Sequence, residues 1–181
     1  MWAVMPYEYM KPNIAILHYK LGLLSSIDIV QLADSWLSQS IFTDTINFLA
    51  METNPVMADV GPMLELAIVE LWLKVPSKTE AAKALTTHTI KKMVSGEIDL
   101  MKGANFLYYD IHHEITDELP DGKYLGSNLG LVHVFCWLRE VWDCRDGSRI
   151  LYYTDIPRDE AELKFLAHLK KEAEAWLEKL A

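Results

Sequence analysis

Two amphipathic segments joined at a single glycine constrain the fold of this chain more than any other feature. Ser77-Lys78-Thr79-Glu80 has the pattern of a capping box, in which the serine and glutamate side chains bond free backbone N–H groups at a helix start. Apolar residues follow at helical spacing up to Gly96, a residue type that commonly ends helices in the left-handed conformation. Asp99 then predicts a second helix, whose apolar stripe is Leu100, Ala104, Leu107, Ile111 and Ile115.

The same alternation of caps, apolar stripes and breakers recurs along the chain. We therefore expect an all-α fold, a single compact domain of about seven or eight packed helices over residues 12–181. Residues 1–11 are rich in Met, Tyr and Trp, and we expect them to form an N-terminal arm. Further predicted helix starts are Asn13, Ser25 or Ser26, Thr43 or Asp44, Pro62 in a first turn, and Pro157.

The segment near 131–155 has two interpretations. Its apolar residues crowd most faces, as in a buried helix, but several are β-branched or aromatic. Asp146-Gly147 is also a good hairpin turn. We favour a helix, because a lone hairpin would leave both strand edges unpaired, and a short β-hairpin is the alternative.

Charge and composition exclude several classes of function. The formal net charge is −9 and the basic residues are scattered, so we expect no nucleic-acid partner. The apolar runs fall short of the ~20 residues that a membrane span needs, and the first residues lack the pattern of a secretory signal. Cys136 and Cys144 do not form a C-x-x-C pair. We read both as free thiols and expect a cytoplasmic protein that binds no membrane.

The sharpest candidate chemistry is the run Asp110-Ile111-His112-His113-Glu114. Histidine and carboxylate side chains on helices are the ligands of di-metal bundles, but adjacent histidines point about 100° apart on a helix and cannot share one ion. A metal site would therefore need a distant ligand as well. Its candidate ligands are Asp110, His113, Glu114 and His133.

Nucleophilic and phosphate-binding motifs are missing from the sequence. No G-x-S-x-G occurs, and no glycine-rich loop follows a predicted strand. Cys136 follows His133 by three residues, which would make them neighbours on a helix, but catalytic dyads usually join separate elements in a cleft. We therefore expect no catalytic residue, no cofactor and, on balance, no enzyme.

The C-terminal helix carries an apolar seam that can extend beyond the contacts available within its own domain. Leu166, Leu169, Ala173, Trp176 and Leu180 recur at heptad-like spacing. A seam of this kind can pack against a second copy of the chain, which makes a structural homodimer one hypothesis. The interface candidates are Trp176, Leu177 and Leu180.

Scattered motifs resemble a group of small bacterial all-helical proteins of uncharacterised function. The similar runs are Leu32–Leu37, Leu49-Ala50, Val94–Asp99, Gly103-Ala104, Leu138–Asp143 and Tyr152–Ile156. Proteins of this group are similar to immunity or antitoxin proteins in size and charge, which implies a binding role without catalytic residues. Pro157 and the aromatic N-terminus depart from the pattern.

These observations together favour a non-enzymatic cytoplasmic binding protein with a protein partner. Its most concrete form is an acidic, immunity-like inhibitor of a basic protein, because opposite charges steer association. The alternatives are a helical metal-dependent enzyme that uses the 110–114 cluster and the structural homodimer.

Overall fold

A computed structural model describes residues 10–180, and all regular secondary structure within that range is helical. The predicted all-α class is confirmed. The predicted arm, residues 1–11, lies almost wholly outside the described residues. The α-helices are α1 Pro12–Lys20, α2 Ser26–Ser38, α3 Asp44–Ala50, α4 Met57–Glu70, α5 Lys78–Ser95, α6 Leu100–Phe106, α7 His113–Ile115, α8 Val132–Asp146 and α9 Arg158–Glu178.

The chain divides into two compact units whose boundary falls within α5, the first reaching to Leu85 and the second beginning at Thr86. The first unit packs α1 to α4 around a core in which Trp36 is fully buried. Its indole Nε1 donates a hydrogen bond to the backbone oxygen of Met10 at 2.7 Å, which satisfies the one polar atom of that side chain. The core of this unit includes Ile16, Ile29, Leu32, Ile46, Leu49, Leu64 and Ile68.

Most of the predicted helix starts are confirmed as side-chain caps. Ser25 forms a capping box with Asp28, and Thr43 caps α3 through a bond from the N–H of Ile46. The predicted box at α5 is present, because Ser77 N–H donates to Glu80 Oε2 at 2.8 Å and Glu80 N–H donates to Ser77 Oγ at 3.2 Å. Asp99 accepts from the N–H of Lys102, as expected for a cap of α6.

Two predicted starts are wrong. The first helix begins at Pro12 after Lys11, so Asn13 lies inside the helix and caps nothing. Proline fixes a helical φ at the first position, and this determined the start instead of the asparagine. The fourth helix begins at Met57, so Pro62 lies inside α4 instead of in its first turn.

The hairpin alternative for 131–155 is wrong, and the favoured helix is confirmed. Residues 132–146 form α8, and Val134, Leu138 and Val141 are buried at intervals of four and three residues, as one helix face requires. Gly147, expected in a hairpin turn, instead ends α8 in the left-handed conformation with φ +84°.

The second unit is built largely on the pairing of α8 with α9. The guanidinium of Arg158, at the start of α9, holds the C-terminus of α8. Its Nη1 donates to the carbonyl oxygens of Asp143 and Cys144 at 3.0 and 3.2 Å, and its Nη2 donates to those of Gly147 and Ser148 at 3.3 and 2.7 Å. A cation therefore satisfies carbonyls that a helix end leaves free.

Candidate functional site

The predicted 110–114 cluster lies where the helix after Asp99 widens into a π-helix, Leu107–His112, between α6 and α7. Burial, and repulsion by Glu114, raise the pKa of Asp110. His113 and Glu114 are exposed, as is His133 on α8. Across residues 10–180, no three His, Cys, Asp or Glu side chains come together as metal ligands, so the structure does not assemble the four candidates into a metal site.

His112 is the member of the cluster that turns inward. Its ring is buried, contacts Phe135 edge-on, and places Nε2 2.7 Å from Asp121 Oδ2. Burial opposes ionisation of Asp121, but hydrogen bonds from the backbone N–H groups of Asn128 and Gly126, and from His112, outweigh it and lower the pKa of that carboxyl. The pair thus fastens the 121–128 loop to the π-helix, a structural role.

The hydroxyl of Ser127, which lies beside Asp121, does not complete a catalytic triad. Ser127 Oγ accepts the N–H of Gly122 at 2.7 Å and lies 3.5 Å from Asp121 Oδ1, so it faces the carboxylate and not the imidazole. A nucleophilic serine needs the imidazole as its base. The arrangement therefore orders the loop and activates no nucleophile.

Cys136 is a weak candidate for a nucleophile. Burial, followed by repulsion from Glu140, raises the pKa of its thiol, which disfavours the reactive thiolate. Cys144 donates instead to the backbone oxygen of Arg158 at 3.0 Å. Both cysteines are free thiols, as predicted from the sequence.

The interface candidates of α9 are placed differently from one another. Trp176 Nε1 donates to the backbone oxygen of Leu129 at 3.0 Å, so its indole is bound within its own chain. Leu177 is half-buried and Leu180 is exposed. Contact of these two leucines with a second copy stays a prediction.

A second aromatic group joins α8, α9 and the loop between them. The rings of Trp137 and His168 stack with centroids 4.2 Å apart, and Tyr153 Oη lies 2.7 Å from His168 Nε2. The buried Glu140 holds this loop, since its Oε2 accepts the N–H of Leu151 at 2.9 Å. These contacts are internal to the second unit, and they engage Tyr153 Oη and His168 Nε2 with each other.

The helix pair α3–α4 and the residues at its ends carry most of the exposed large apolar side chains of the first unit. The two helices are antiparallel, because Glu70 at the end of α4 accepts a hydrogen bond from Thr45 Oγ1 at the start of α3, at 2.7 Å. We call the exposed apolar side chains on this pair and at its ends the α3–α4 surface. It consists of Phe42, Phe48, Met51, Val56, Met57, Leu66, Val69 and Trp72.

Trp72 is the extreme member of this surface. Its side chain is 96% exposed, whereas Leu66 and Val69 are 52% and 56% exposed. Trp72 follows α4 with φ +60°, and its N–H donates to Val69 O while the N–H of Leu73 donates to Ile68 O. These two bonds define a Schellman motif, in which glycine is the usual residue at this position.

The segment of the sequence that carries the α3–α4 surface contains acidic residues but no basic ones. Between Lys20 and Lys74 the sequence contains no lysine, arginine or histidine. We call residues 21–73 the cation-free segment, and it contains the whole α3–α4 surface. Its seven carboxylates are Asp28, Asp34, Asp44, Glu52, Asp59, Glu65 and Glu70.

Some of these carboxylates have local partners within the first unit. Glu70 accepts hydrogen bonds from the hydroxyls of Thr43 and Thr45, which lower its pKa. Glu65 pairs with Lys20 Nζ at 2.8 Å. Asp44 and Asp59 are exposed in the first turns of α3 and α4, where the helix dipole favours a negative charge. The segment that carries the α3–α4 surface is therefore acidic.

This surface was not predicted from the sequence, although two signals were present. One is a tryptophan where the end of an apolar helix usually has glycine. The other is the long interval without a basic residue, which the net charge of the whole chain conceals.

No protein-family model matches this chain, and searches of the curated proteins and of the solved structures found no match either. The assignment of function therefore depends on the geometry and charge of the chain itself.

Proposed function

We propose that this protein is a non-enzymatic binding protein whose α3–α4 surface binds a basic protein partner. The observation that carries the proposal is the coincidence of the most exposed tryptophan of residues 10–180 with the cation-free segment. Large exposed apolar groups mark interaction sites, and tryptophan is enriched among the residues that dominate binding energy.

Charge selects the class of partner. A surface carried by a segment with seven carboxylates and no basic residue of its own favours a basic protein over an acidic one, both during encounter and in the complex. An inhibitor of a basic toxin, as in immunity proteins, is the concrete form of this proposal. Its compartment in the proposal is the cytoplasm, because a reducing environment keeps Cys136 and Cys144 as free thiols.

The α3–α4 surface combines apolar and acidic character. Its apolar side chains lie on two short helices and at their ends, among carboxylates of the same segment. A basic protein partner accounts for both characters at once.

No helix within residues 10–180 has the length and apolar character to cross a membrane.

Site-specific photo-crosslinking tests the proposal. A benzoylphenylalanine at position 66 is introduced in the source cell, and the crosslinked protein is identified, purified and titrated by calorimetry. We expect a partner of net positive charge whose affinity falls as the salt concentration rises. A partner of net negative charge, or an affinity independent of salt, would contradict the proposal.

A matched pair of charge-reversal variants localises the effect. Glu52→Lys/Asp59→Lys changes the cation-free segment by four charge units, and Asp117→Lys/Glu178→Lys makes the same change at exposed positions of the second unit. We expect the first variant to raise the dissociation constant at least tenfold and the second to change it by less than threefold. Equal effects of the two variants would show that only net charge matters.

A further inference from the structure

The geometry points to Trp72 as the anchor of the α3–α4 surface, and we propose that it docks an amphipathic helix of the partner carrying arginine beside its apolar stripe. This inference rests on the proposed function and specifies its partner. Three observations lead to it: the conformation of Trp72, the exposed side chains of α4 that precede it, and the charge of the segment that carries them.

The conformation of Trp72 indicates that folding alone does not account for the residue. Left-handed backbone is unfavourable for residues with a Cβ. The corresponding positions after α1, α5 and α8 are Gly22, Gly96 and Gly147, and the one after α2 is Ser40, a far smaller residue than tryptophan. At 96% exposure the indole also buries almost no area within the described chain. A glycine would form the same turn with less strain.

The exposed side chains of α4 that precede Trp72 suit packing against a helix. Leu66 and Val69 are exposed three residues apart on α4, and Trp72 is exposed in the turn that follows this helix. Side chains at such spacing form the ridges against which a second helix packs, and an amphipathic helix meets them with its own apolar stripe.

Charge and ring chemistry favour arginine on that partner helix. The carboxylate of Glu70, two residues before Trp72, is exposed and held ionised by the threonine hydroxyls of α3. A guanidinium can lie over the indole face while pairing with a carboxylate, because it is planar and weakly hydrated. The next cation along the chain, Lys74, is paired with Glu80 at 2.7 Å.

The test uses an 18-residue peptide of leucine, alanine and arginine designed as an amphipathic helix, with a scrambled peptide of the same composition as its control. Calorimetry measures both against the full chain. We expect the ordered peptide to bind at least tenfold more tightly than the scrambled one. Equal binding of the two peptides, or no binding, would overturn the inference.

Three variants separate the anchor from the fold. Trp72→Ala and Trp72→Gly should each weaken binding of the ordered peptide at least tenfold, while Ser40→Gly should leave it unchanged. Ser40 is the matched control because it occupies the equivalent left-handed position after α2, with φ +62°. Trp72→Gly should also raise the urea midpoint of unfolding, so its loss of binding cannot come from misfolding.

The outcomes distinguish this inference from the proposed function. If both Trp72 variants bind the ordered peptide as the native chain does while Glu52→Lys/Asp59→Lys loses binding, Trp72 is not the anchor, but the acidic surface stands. If crosslinking from position 66 yields an acidic partner, the proposed function is overturned and this inference with it.

Discussion

At the scale of single residues, the backbone strain at Trp72 can be measured separately from its proposed role in binding. Replacing it by glycine removes the strain of a left-handed residue with a Cβ, offset in part by the greater freedom of glycine in the unfolded chain. We expect Trp72→Gly to raise the free energy of unfolding by about 0.5–1 kcal/mol in urea titrations. A lower stability would mean that the indole packs within the protein.

Glu80 provides a second test at this scale, through pH. A hydrogen bond from Lys74, and further bonds from Ser77, lower the pKa of Glu80 from 4.5 to about 2. A depressed folded-state pKa contributes stability above about pH 4.5 that is lost as the pH falls towards 2. We expect Glu80→Gln to be less stable than the native chain at pH 7 and equal to it near pH 2, as measured by urea midpoints. A difference that does not change with pH would show that the carboxylate charge has no part in the cap.

At the scale of elements, the end of α8 depends on a side chain from the next helix. The fork of Arg158 satisfies four backbone carbonyls around that helix end, a geometry that a lysine cannot reproduce. We expect Arg158→Ala to lower the free energy of unfolding, measured in urea titrations, by about 1–2 kcal/mol. The free energy of unfolding of Arg158→Lys should lie between those of Arg158→Ala and the native chain. Equal stability of Arg158→Lys and the native chain would show that the positive charge at this position is sufficient and that the guanidinium geometry is not required.

The same scale explains which elements could be predicted from the sequence. Helix ends set by local contacts could be predicted from the sequence pattern, because the residues concerned act on backbone within four residues of themselves. These residues are Ser77, Glu80, Gly96 and Asp99. Partners more distant in the chain were not predictable: His112 meets Asp121 from a loop without periodicity, and Arg158 reaches back to α8 across the 147–157 connection. Pro62 was misplaced because a proline tolerated inside α4 carries the same local pattern as one in a first turn.

The candidate site was harder to predict than the fold, because exposure is a tertiary property. Only the packing of α4 against its neighbours determines that Leu66 and Val69 face solvent while Leu64 and Ile68 face the core. Histidine and acid pairs drew attention to residues 110–114, but their roles depend on which side chains a π-helix turns inward.

At the scale of the whole molecule, the distribution of charge is more informative than its sum. The net charge of −9 alone is compatible with simple solubility, whereas the cation-free segment confines the asymmetry to the residues that carry the α3–α4 surface. Acidic charge and exposed apolar groups thus occur together in the first unit. This coincidence is the central claim of the proposed function.

Mapping of backbone amides by NMR, during titration with the ordered arginine peptide, tests that claim most directly. We predict that the largest chemical-shift changes fall at residues 42–52 and 62–74, with the indole N–H of Trp72 among them. Changes concentrated instead around Trp137, Tyr153 and His168 in the second unit would contradict the account.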